Sequence, residues 1–313
     1  MESRLMSKKK VYRPHNWSHY NKSLINRGSL CLWISEEILS QWYNSNRNGQ
    51  KGRPQLYANS AILCAQQIRM LFELGLRQTQ GFLISLFRLM QVEQKVPCYS
   101  VLCRRLKTLS VKIPRSKNVA PRDIVLDSTG LKVYGEGEWK VRIHGVSKRR
   151  TWRKIHLGLD AQTQEVVCAV MTTNDVQDVE VFERLLSQVE GQGINRVCAD
   201  GIYDATHCYE YCDERGIEDL TPPREGAVLS KKDCLKKRNE AIEWIEKKGR
   251  QDWKLGSGYS RRSLAETGMF RFKQTFSDKL KGRLIASQAK EVFIKCTMLN
   301  RFAQMGLPQS KAG

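Results

Sequence analysis

Several features that mark other protein classes are missing from this chain of 313 residues. No run reaches the roughly eighteen apolar residues of a membrane-spanning helix, and the basic start of the chain lacks the apolar core of a signal peptide. The phosphate-binding pattern Gly-x-x-x-x-Gly-Lys is absent as well. We therefore expect no membrane partner, no secretion and no nucleotide cofactor.

The ten cysteines form no Cys-x-x-Cys pair, and most of them lie in apolar runs, where cysteine behaves as a small hydrophobic residue. His207, Cys208 and Cys212 have a loose ligand spacing, but the second ligand pair of a zinc site is missing. This cysteine usage is typical of a reduced protein. It favours a cytoplasmic location.

Acidic residues are scarce relative to basic ones. The chain has 32 Asp and Glu against 53 Lys and Arg, which gives a net charge of +21 and a pI near 9.7. A charge of this size favours a polyanionic partner such as nucleic acid. Charge alone fits a soluble basic protein equally well, so the function depends on the motifs.

The first third of the chain divides into two parts. Residues 1–54 form a basic, aromatic N-terminal segment, and residues 55–118 have apolar residues at helical spacing. We predict helices at 61–74, 76–89 and 100–106. The last of these has Arg104 and Arg105 on its basic flank, which favours an all-helical, helix-turn-helix-like DNA-binding domain. A plain helical bundle is the alternative.

Residues 119–313 have a mixed α/β pattern. Apolar runs predict strands at 124–127, 151–159, 166–172, 196–200 and 219–221. Helices are predicted at 179–189 and 205–215, and a small helical insertion at about 225–257. The order β-β-β-α-β-α-β with a late helix is typical of a ribonuclease H-like catalytic core, a mixed five-stranded sheet with flanking helices. In that order the first strand pairs with the fourth.

Three acidic residues lie where this topology brings them together. Asp127 and Asp200 follow apolar strand residues, and Glu266 lies on the late helix. A single acid at a strand end usually caps a turn. Three converging carboxylates repel one another unless cations neutralise them, and oxygen ligands select Mg²⁺ or Mn²⁺. We predict a site for two ions that activate a nucleophile and stabilise the leaving oxygen of a phosphodiester.

Glu266 belongs to a group of four residues, Tyr259, Arg262, Glu266 and Lys273, spaced three, four and seven positions apart. At about 100° per residue they form a stripe roughly 60° wide on one face of an α-helix. Arg and Lys are suited to hold phosphates, Arg through a planar fork and Lys as a point charge. Tyr259 is expected to hydrogen-bond a phosphate rather than attack one, since no histidine is near it in sequence.

Several motifs make the chain resemble DDE transposases of bacterial insertion sequences, in the insertion sequence five family. The spacing of Tyr259, Arg262, Glu266 and Lys273 matches the family's tyrosine–arginine–glutamate–lysine pattern in full. Other matching segments are Leu76-Arg77-Gln78-Thr79-Gln80-Gly81, Asp127-Ser128-Thr129-Gly130, Lys148-Arg149-Arg150-Thr151-Trp152-Arg153-Lys154 and Ala199-Asp200-Gly201. Ile202 departs from the small residue that relatives tend to have there.

The resemblance implies a transposase that binds the terminal inverted repeats of its element, cleaves at their ends and joins the 3′-hydroxyl ends to target DNA. Its catalytic acids and metal ligands are then Asp127, Asp200 and Glu266. The double-stranded DNA partners are the terminal repeats and the target, and synapsis of two ends implies a homodimer or a larger assembly. The location implied is the bacterial cytoplasm, in association with the nucleoid.

A basic run accompanies the acidic residues. Residues 140–154 include seven Lys or Arg and no acid. A solvated basic hairpin is one account, whereas beside a metal site the run reads as a track for phosphates. The predicted DNA contacts in it are Lys148, Arg149, Arg150, Arg153 and Lys154.

Two other functions stay open at this point. One is a ribonuclease H-like nuclease that never performs strand transfer. The other is a non-catalytic DNA-binding repressor derived from a transposase, although such a protein does not need the three acids or the complete stripe.

Overall fold

The computed structural model describes residues 12–44, 54–113, 122–134, 151–191 and 193–312. Lys148, Arg149 and Arg150 lie outside these residues. The α-helices within the described part are α1 Trp17–Arg27, α2 Glu36–Ser40, α3 Asn59–Leu71, α4 Leu76–Leu89, α5 Tyr99–Thr108, α6 Phe182–Leu186, α7 Thr206–Asp213, α8 Lys236–Lys248, α9 Arg250–Gly256, α10 Ser263–Phe276 and α11 Ile285–Met305.

The strands in the same residues are β1 Tyr12–Pro14, β2 Arg122–Tyr134, β3 Thr151–Asp160, β4 Val166–Thr172, β5 Ile194–Cys198, β6 Glu218–Leu220 and β7 Ser310–Ala312. The described residues form a mixed five-stranded sheet in the order β4-β3-β2-β5-β6, while β1 pairs with β7. The β2–β3 and β3–β4 pairs are antiparallel, and β2–β5 and β5–β6 are parallel. The predicted pairing of the first strand of the sheet with the fourth is confirmed.

Alternation along β2 separates two hydrophobic cores. Ile124 and Leu126 point to the face covered by α6 and α7, whereas Val125 and Leu131 point to the face covered by α10 and α11. Successive side chains of a strand point to opposite faces, so each polar residue that follows Leu126 is assigned to one of these two sides.

The helical region before the sheet packs against the α/β part of the chain. Helices α3 and α5 both contact α11, and the residues they bury join the core on the α10–α11 face of the sheet. The predicted helices at 61–74, 76–89 and 100–106 are confirmed with small shifts of their ends. The limits of the domains and the helix-turn-helix assignment remain predictions.

Four details differ from the sequence-based expectation. The strand predicted at 124–127 extends to Tyr134, so Asp127 lies inside the strand rather than at its end. The predicted helix at 179–189 is short, because 3₁₀ turns precede and follow α6. Strand β5 ends at Cys198, so Asp200 lies in the turn beyond it and caps a 3₁₀ turn at Gly201–Tyr203. The stripe is not on one α-helix, since Tyr259–Arg262 is a 3₁₀ turn and α10 begins at Ser263.

Among the residues that the structure describes, no helix is both long and apolar enough to cross a bilayer.

Candidate active site

Asp127 lies in the middle of β2, opposite Leu157 of β3. It lies two residues after Val125, so its side chain points to the same face of the sheet as Val125, the face covered by α10. One carboxylate oxygen, Oδ1, accepts a hydrogen bond of 2.9 Å from the N–H of Ser128. The strand therefore presents this acid to the helix that contains Glu266.

Asp200 lies level with Asp127, in the turn after the neighbouring strand β5. Val125 of β2 is in register with Cys198 of the parallel strand β5, and Asp200 follows Cys198 by two residues. Its Oδ1 accepts a hydrogen bond of 3.0 Å from the N–H of Ile202, which fixes the turn. A Cβ built at Gly201 would meet the carbonyl oxygen of Pro222 at 3.4 Å, so this turn packs closely on the chain beyond β6.

Glu266 lies in the first turn of α10, and its side chain is 61% exposed. The opposite side of the helix is buried against the sheet through Ala265, Met269 and Phe272. Two residues after Glu266, Gly268 lies so close to the Leu159 side chain that a methyl group would overlap it. This close approach of helix and sheet fixes how near Glu266 lies to β2.

Arg262 joins two of the three acids. Its Nη1 is 2.6 Å from Glu266 Oε1, and its Nη2 is 3.3 Å from Asp127 Oδ1. The Arg262 side chain is 20% exposed and that of Asp127 16%, so this ion pair is largely shielded from water, whereas the pair with Glu266 is open to solvent on the glutamate side. A fixed cation therefore bridges the acid of the strand and the acid of the helix.

The carboxyl groups influence one another. Burial raises the pKa of Asp127, and the charges of Asp200 and Glu266 raise it further, while Arg262 and the Ser128 N–H act in the opposite direction. Burial also raises the pKa of Asp200, against the Ile202 N–H and Arg262, and Asp178 adds to the increase. Clustered acids with raised pKa values are a common mark of functional sites.

The donor set suits a hard divalent cation, because it consists of carboxylate oxygens that repel one another. As placed, however, no three Asp, Glu, His or Cys side chains among the described residues are close enough to form a metal-binding cluster. The bridging guanidinium of Arg262 supplies the positive charge between Asp127 and Glu266. Coordination of an ion by all three acids therefore requires Arg262 to give up at least one of its ion pairs.

Comparison with known families gives a match to this part of the chain. A model described as a transposase DDE domain matches residues 119–301, which is more than half of the chain and includes all three acids. This chain belongs to the DDE transposase family. A second model of the same description matches residues 25–136.

Two solved transposase structures are distantly similar to this DDE transposase. One is a cryo-EM structure of the piggyBac transposase synaptic complex with hairpin DNA, at 9% identity over 96% of this chain and 80% of that chain, with a TM-score of 0.36. The other is the Drosophila P element transposase strand transfer complex, at 12% identity over 84% of this chain and 70% of that chain, with a TM-score of 0.32.

Tyr259 of the transposase is buried rather than displayed on a helix face. Its ring packs on Trp253 with centroids 5.3 Å apart, and Cys198 Sγ lies 3.9 Å from its carbonyl oxygen. Burial raises the pKa of Tyr259, so its hydroxyl stays protonated. A protonated hydroxyl can donate a hydrogen bond but is a poor nucleophile.

Lys273 lies on the same side of β2 as Asp127. Its Nζ is 2.6 Å from Thr129 Oγ1. Thr129 follows Asp127 by two residues on β2, so both side chains are on the same face of the sheet. Two turns of α10 separate Lys273 from Glu266. The helix and the strand therefore hold a second cation beside the acids, next to the one on Arg262.

Sequence reasoning missed a group of residues on the other face of β2. Ser128 Oγ donates a hydrogen bond of 2.6 Å to Asp178 Oδ2, and Lys154 Nζ is 2.9 Å from Asp178 Oδ1. His156 is fully buried beside them, and its Nε2 is 3.0 Å from Thr172 Oγ1. Ser128 directly follows Asp127, so Asp178 holds the backbone that carries the first acid. The one feature of the sequence that could have indicated Asp178 is its position just before the helix predicted at 179–189.

The predicted DNA contacts that the structure describes fall into two groups. Arg153 donates to Gln288 Oε1 at 3.1 Å, Lys154 pairs with Asp178, and Arg105 is buried with its guanidinium bonded to the Tyr57 carbonyl and to Asn59 Oδ1. These three are occupied within the protein, and their contact with DNA remains a prediction. Arg104, in contrast, is exposed beside Arg105 on α5.

Proposed function

We propose that this DDE transposase is an active enzyme of a bacterial insertion sequence, similar to the insertion sequence five family. It binds the terminal inverted repeats of its element, hydrolyses phosphodiester bonds at the ends and transfers the 3′-hydroxyl ends to target DNA. The observation that supports the proposal is the placement of Asp127 on β2, Asp200 in the turn after the neighbouring strand β5 and Glu266 on the helix that packs on this face, with the charges of Asp200 and Glu266 both raising the pKa of Asp127.

Two divalent cations, Mg²⁺ or Mn²⁺, held by these three carboxylates would polarise the attacking hydroxyl and stabilise the leaving oxygen. The chain's own residues position the DNA strand. Arg262 exchanges a carboxylate partner for a phosphate, to which its planar fork is equally suited. Lys273 presents a point charge from α10, and the protonated hydroxyl of Tyr259 donates to a phosphate oxygen.

The strand order supports a ribonuclease H-like core for this chemistry. Its features are three antiparallel strands, a first strand paired in parallel with the fourth, and a late helix that packs on the sheet. The net charge of +21 suits a DNA substrate. Joining two ends of one element requires two active sites, so we propose a dimer or larger assembly on DNA. We place the enzyme in the bacterial cytoplasm, at the nucleoid.

The experiment uses the full-length chain and duplexes that carry the DNA flanking its gene. We expect wild-type protein with Mg²⁺ to cut at the element ends and to join pre-cut ends to a plasmid. Asp200→Asn should lose both activities by at least about a thousandfold while still binding DNA. Asp213→Asn, which changes an exposed acid at the end of α7, is the matched control. Normal cleavage by Asp200→Asn contradicts the proposal.

The non-catalytic DNA-binding repressor is the second candidate, and the ion pairs of Arg262 favour it. The single guanidinium offsets part of the charge of Asp127 and Glu266 from within the chain. Binding of end-containing DNA without cleavage in either Mg²⁺ or Mn²⁺ supports this candidate. Cleavage of ends without any joining supports a nuclease instead.

A further inference from the structure

A basic groove lies where the helical region meets the catalytic part. It has a volume of about 890 Å³ and is lined by the start of α4, by one side of α5, by the loop at 281–284 and by the start of α11. None of the described residues that line it is Asp or Glu. Five of them are exposed cations, namely Arg77, Arg104, Lys107, Lys281 and Arg283.

The walls of the groove are fixed in place. The Lys281 ammonium donates to the carbonyl oxygen of Glu73, which joins the loop at 281–284 to the residues just after α3. Glu291 of α11 accepts hydrogen bonds of 3.1–3.2 Å from the N–H groups of Lys281 and Gly282. On the opposite wall, Arg77 lies over the ring of Tyr99 at 4.6 Å from its centroid. Two of the five cations, Lys281 and Arg77, are therefore held by contacts within the protein.

The backbone adds to the positive potential of the cations. The helices α4, α5 and α11 all begin at this groove, and the first N–H groups of a helix lack partners within it. The residue before α11 provides no side-chain cap, whereas at α5 the Tyr99 N–H donates to Gln80 Oε1 at 2.9 Å. Helix starts of this kind reinforce phosphate binding by nearby Lys and Arg.

Backbone hydrogen bonds join β2 to the segment that leads into the groove. The Lys132 N–H donates to the Asp278 carbonyl, and the Leu280 N–H donates to the Lys132 carbonyl, both at 2.7 Å. Lys132 is five residues beyond Asp127, roughly 17 Å along a strand. Lys281 follows Leu280 in the chain and lines the groove. One DNA duplex is long enough to lie on both surfaces.

We propose that this groove, rather than α5 alone, binds the sugar–phosphate backbone of the duplex whose end is held at Asp127, Asp200 and Glu266. The inference rests on the proposed function and adds to it a joint contact surface of the helical region and the catalytic part. Its five cations meet phosphates without reading bases, so they hold the duplex in position for cleavage.

The first experiment measures the salt dependence of binding to a mixed-sequence duplex of forty base pairs. Each lost phosphate contact reduces the slope of log affinity against log salt by about 0.9. Arg77→Gln combined with Arg283→Gln should therefore reduce it by about 2. The control pair is Arg88→Gln with Lys247→Gln, two exposed cations outside the groove, of which Arg88 lies on α4 together with Arg77. The control pair should keep the wild-type slope.

The second experiment uses a cysteine of the groove itself. Cys103 is exposed and lines the groove, whereas Cys31 is exposed elsewhere. With the full-length wild-type protein, the duplex should slow maleimide labelling of Cys103 at least about fivefold and leave the rate at Cys31 unchanged. Peptide mapping by mass spectrometry separates the two rates.

The groove inference fails if the protein binds and cleaves DNA while Cys103 is labelled at its free rate, or while the slope of the groove variant matches that of the control pair. It fails equally if polyglutamate protects Cys103 as well as the duplex does. If wild-type protein binds no DNA at all, the proposed function fails together with it. Slope reduction and selective protection of Cys103 together support the inference.

Discussion

Ser128 donates its hydroxyl to Asp178 across a distance of 2.6 Å. This bond ties the residue after Asp127 to the turn before α6, on the face of β2 away from α10. Asp178 is also the partner of Lys154, and its charge contributes to the raised pKa of Asp200. Asp178, which is not one of the three predicted acids, therefore affects two of them. It holds the backbone next to Asp127 through Ser128, and its charge raises the pKa of Asp200.

Replacement of Asp178 by Asn should destabilise the protein by about 1–3 kcal/mol, because it leaves the Lys154 ammonium mostly buried beside a neutral partner. Urea unfolding of single and double variants measures this, and Asp178→Asn with Lys154→Met should show a coupling of at least about 0.5 kcal/mol. Asp175→Asn, an exposed acid three residues earlier, is the control. Additive effects at Asp178 and Lys154 contradict the prediction.

The sequence predicted the site's elements because they depend on local patterns. Alternation in an apolar run and the spacing of Tyr259, Arg262 and Glu266 are both readable from a single chain. The ion pair of Arg262 with Asp127 was not predictable, because 135 positions separate the two residues and a strand order gives no rotamer. The partner of Ser128 was missed for the same reason.

The 3₁₀ turn at Tyr259–Arg262 shows another limit of pattern reading. A period of 3.6 places Tyr259 and Arg262 about 60° apart, whereas three residues per turn bring them onto one side. The stripe therefore has a physical basis that differs from the predicted one. The ring of Tyr259 is buried against Trp253, which an α-helical projection of this segment alone does not reveal.

Arg262 should compete with a divalent cation for the carboxylates. Arg262→Gln removes one positive charge between Asp127 and Glu266, so we expect Mn²⁺ to bind the DNA-free protein roughly tenfold more tightly. Calorimetric titration at constant pH and salt measures this without any cleavage assay. The same variant should bind DNA more weakly, since it lacks the guanidinium fork.

The control for the Mn²⁺ titration is Arg261→Gln, which removes the neighbouring exposed arginine that pairs with Asp123. It should leave Mn²⁺ affinity close to the wild-type value. Unchanged or weaker Mn²⁺ binding by Arg262→Gln shows that the arginine does not oppose the ion.

Gly268 sets the distance between α10 and the sheet. Gly268→Ala places a methyl group against the buried Leu159 side chain, so we expect a loss of about 1–3 kcal/mol in the free energy of unfolding. The displaced helix carries Glu266 with it, and cleavage should fall more than the loss of folded protein explains. Denaturant unfolding and single-turnover cleavage measure the two effects.

A matched glycine exists in α4. A Cβ built at Gly81 meets nothing within 4 Å, so Gly81→Ala should stabilise the protein by about 0.5–1 kcal/mol through helix propensity. Equal effects of the two substitutions are incompatible with close packing at Gly268.

Asp219 should make the stability of the protein depend on pH. Burial raises the pKa of this carboxyl to about 7, and the charge of Asp204 adds to the increase, although hydrogen bonds from Thr221 and Cys212 oppose part of the shift. In the unfolded chain the pKa returns to about 4. Between these values the folded state binds more protons than the unfolded state. The free energy of unfolding therefore falls as pH rises from about 4 to about 7, and the full penalty remains above 7.

Asp219→Asn removes this proton linkage while keeping nearly the same side-chain shape. Relative to wild type, its free energy of unfolding should rise by up to about 1.4 kcal/mol for each pH unit between about 4 and 7, and the gain should then level off. Urea unfolding at four pH values from 5 to 8 follows the difference, and other titrating groups cancel because both proteins share them. Asp213→Asn, at an exposed position of α7, should give a flat difference. A difference for Asp219→Asn that is flat, or that grows as pH falls, is incompatible with a buried carboxyl that resists ionisation.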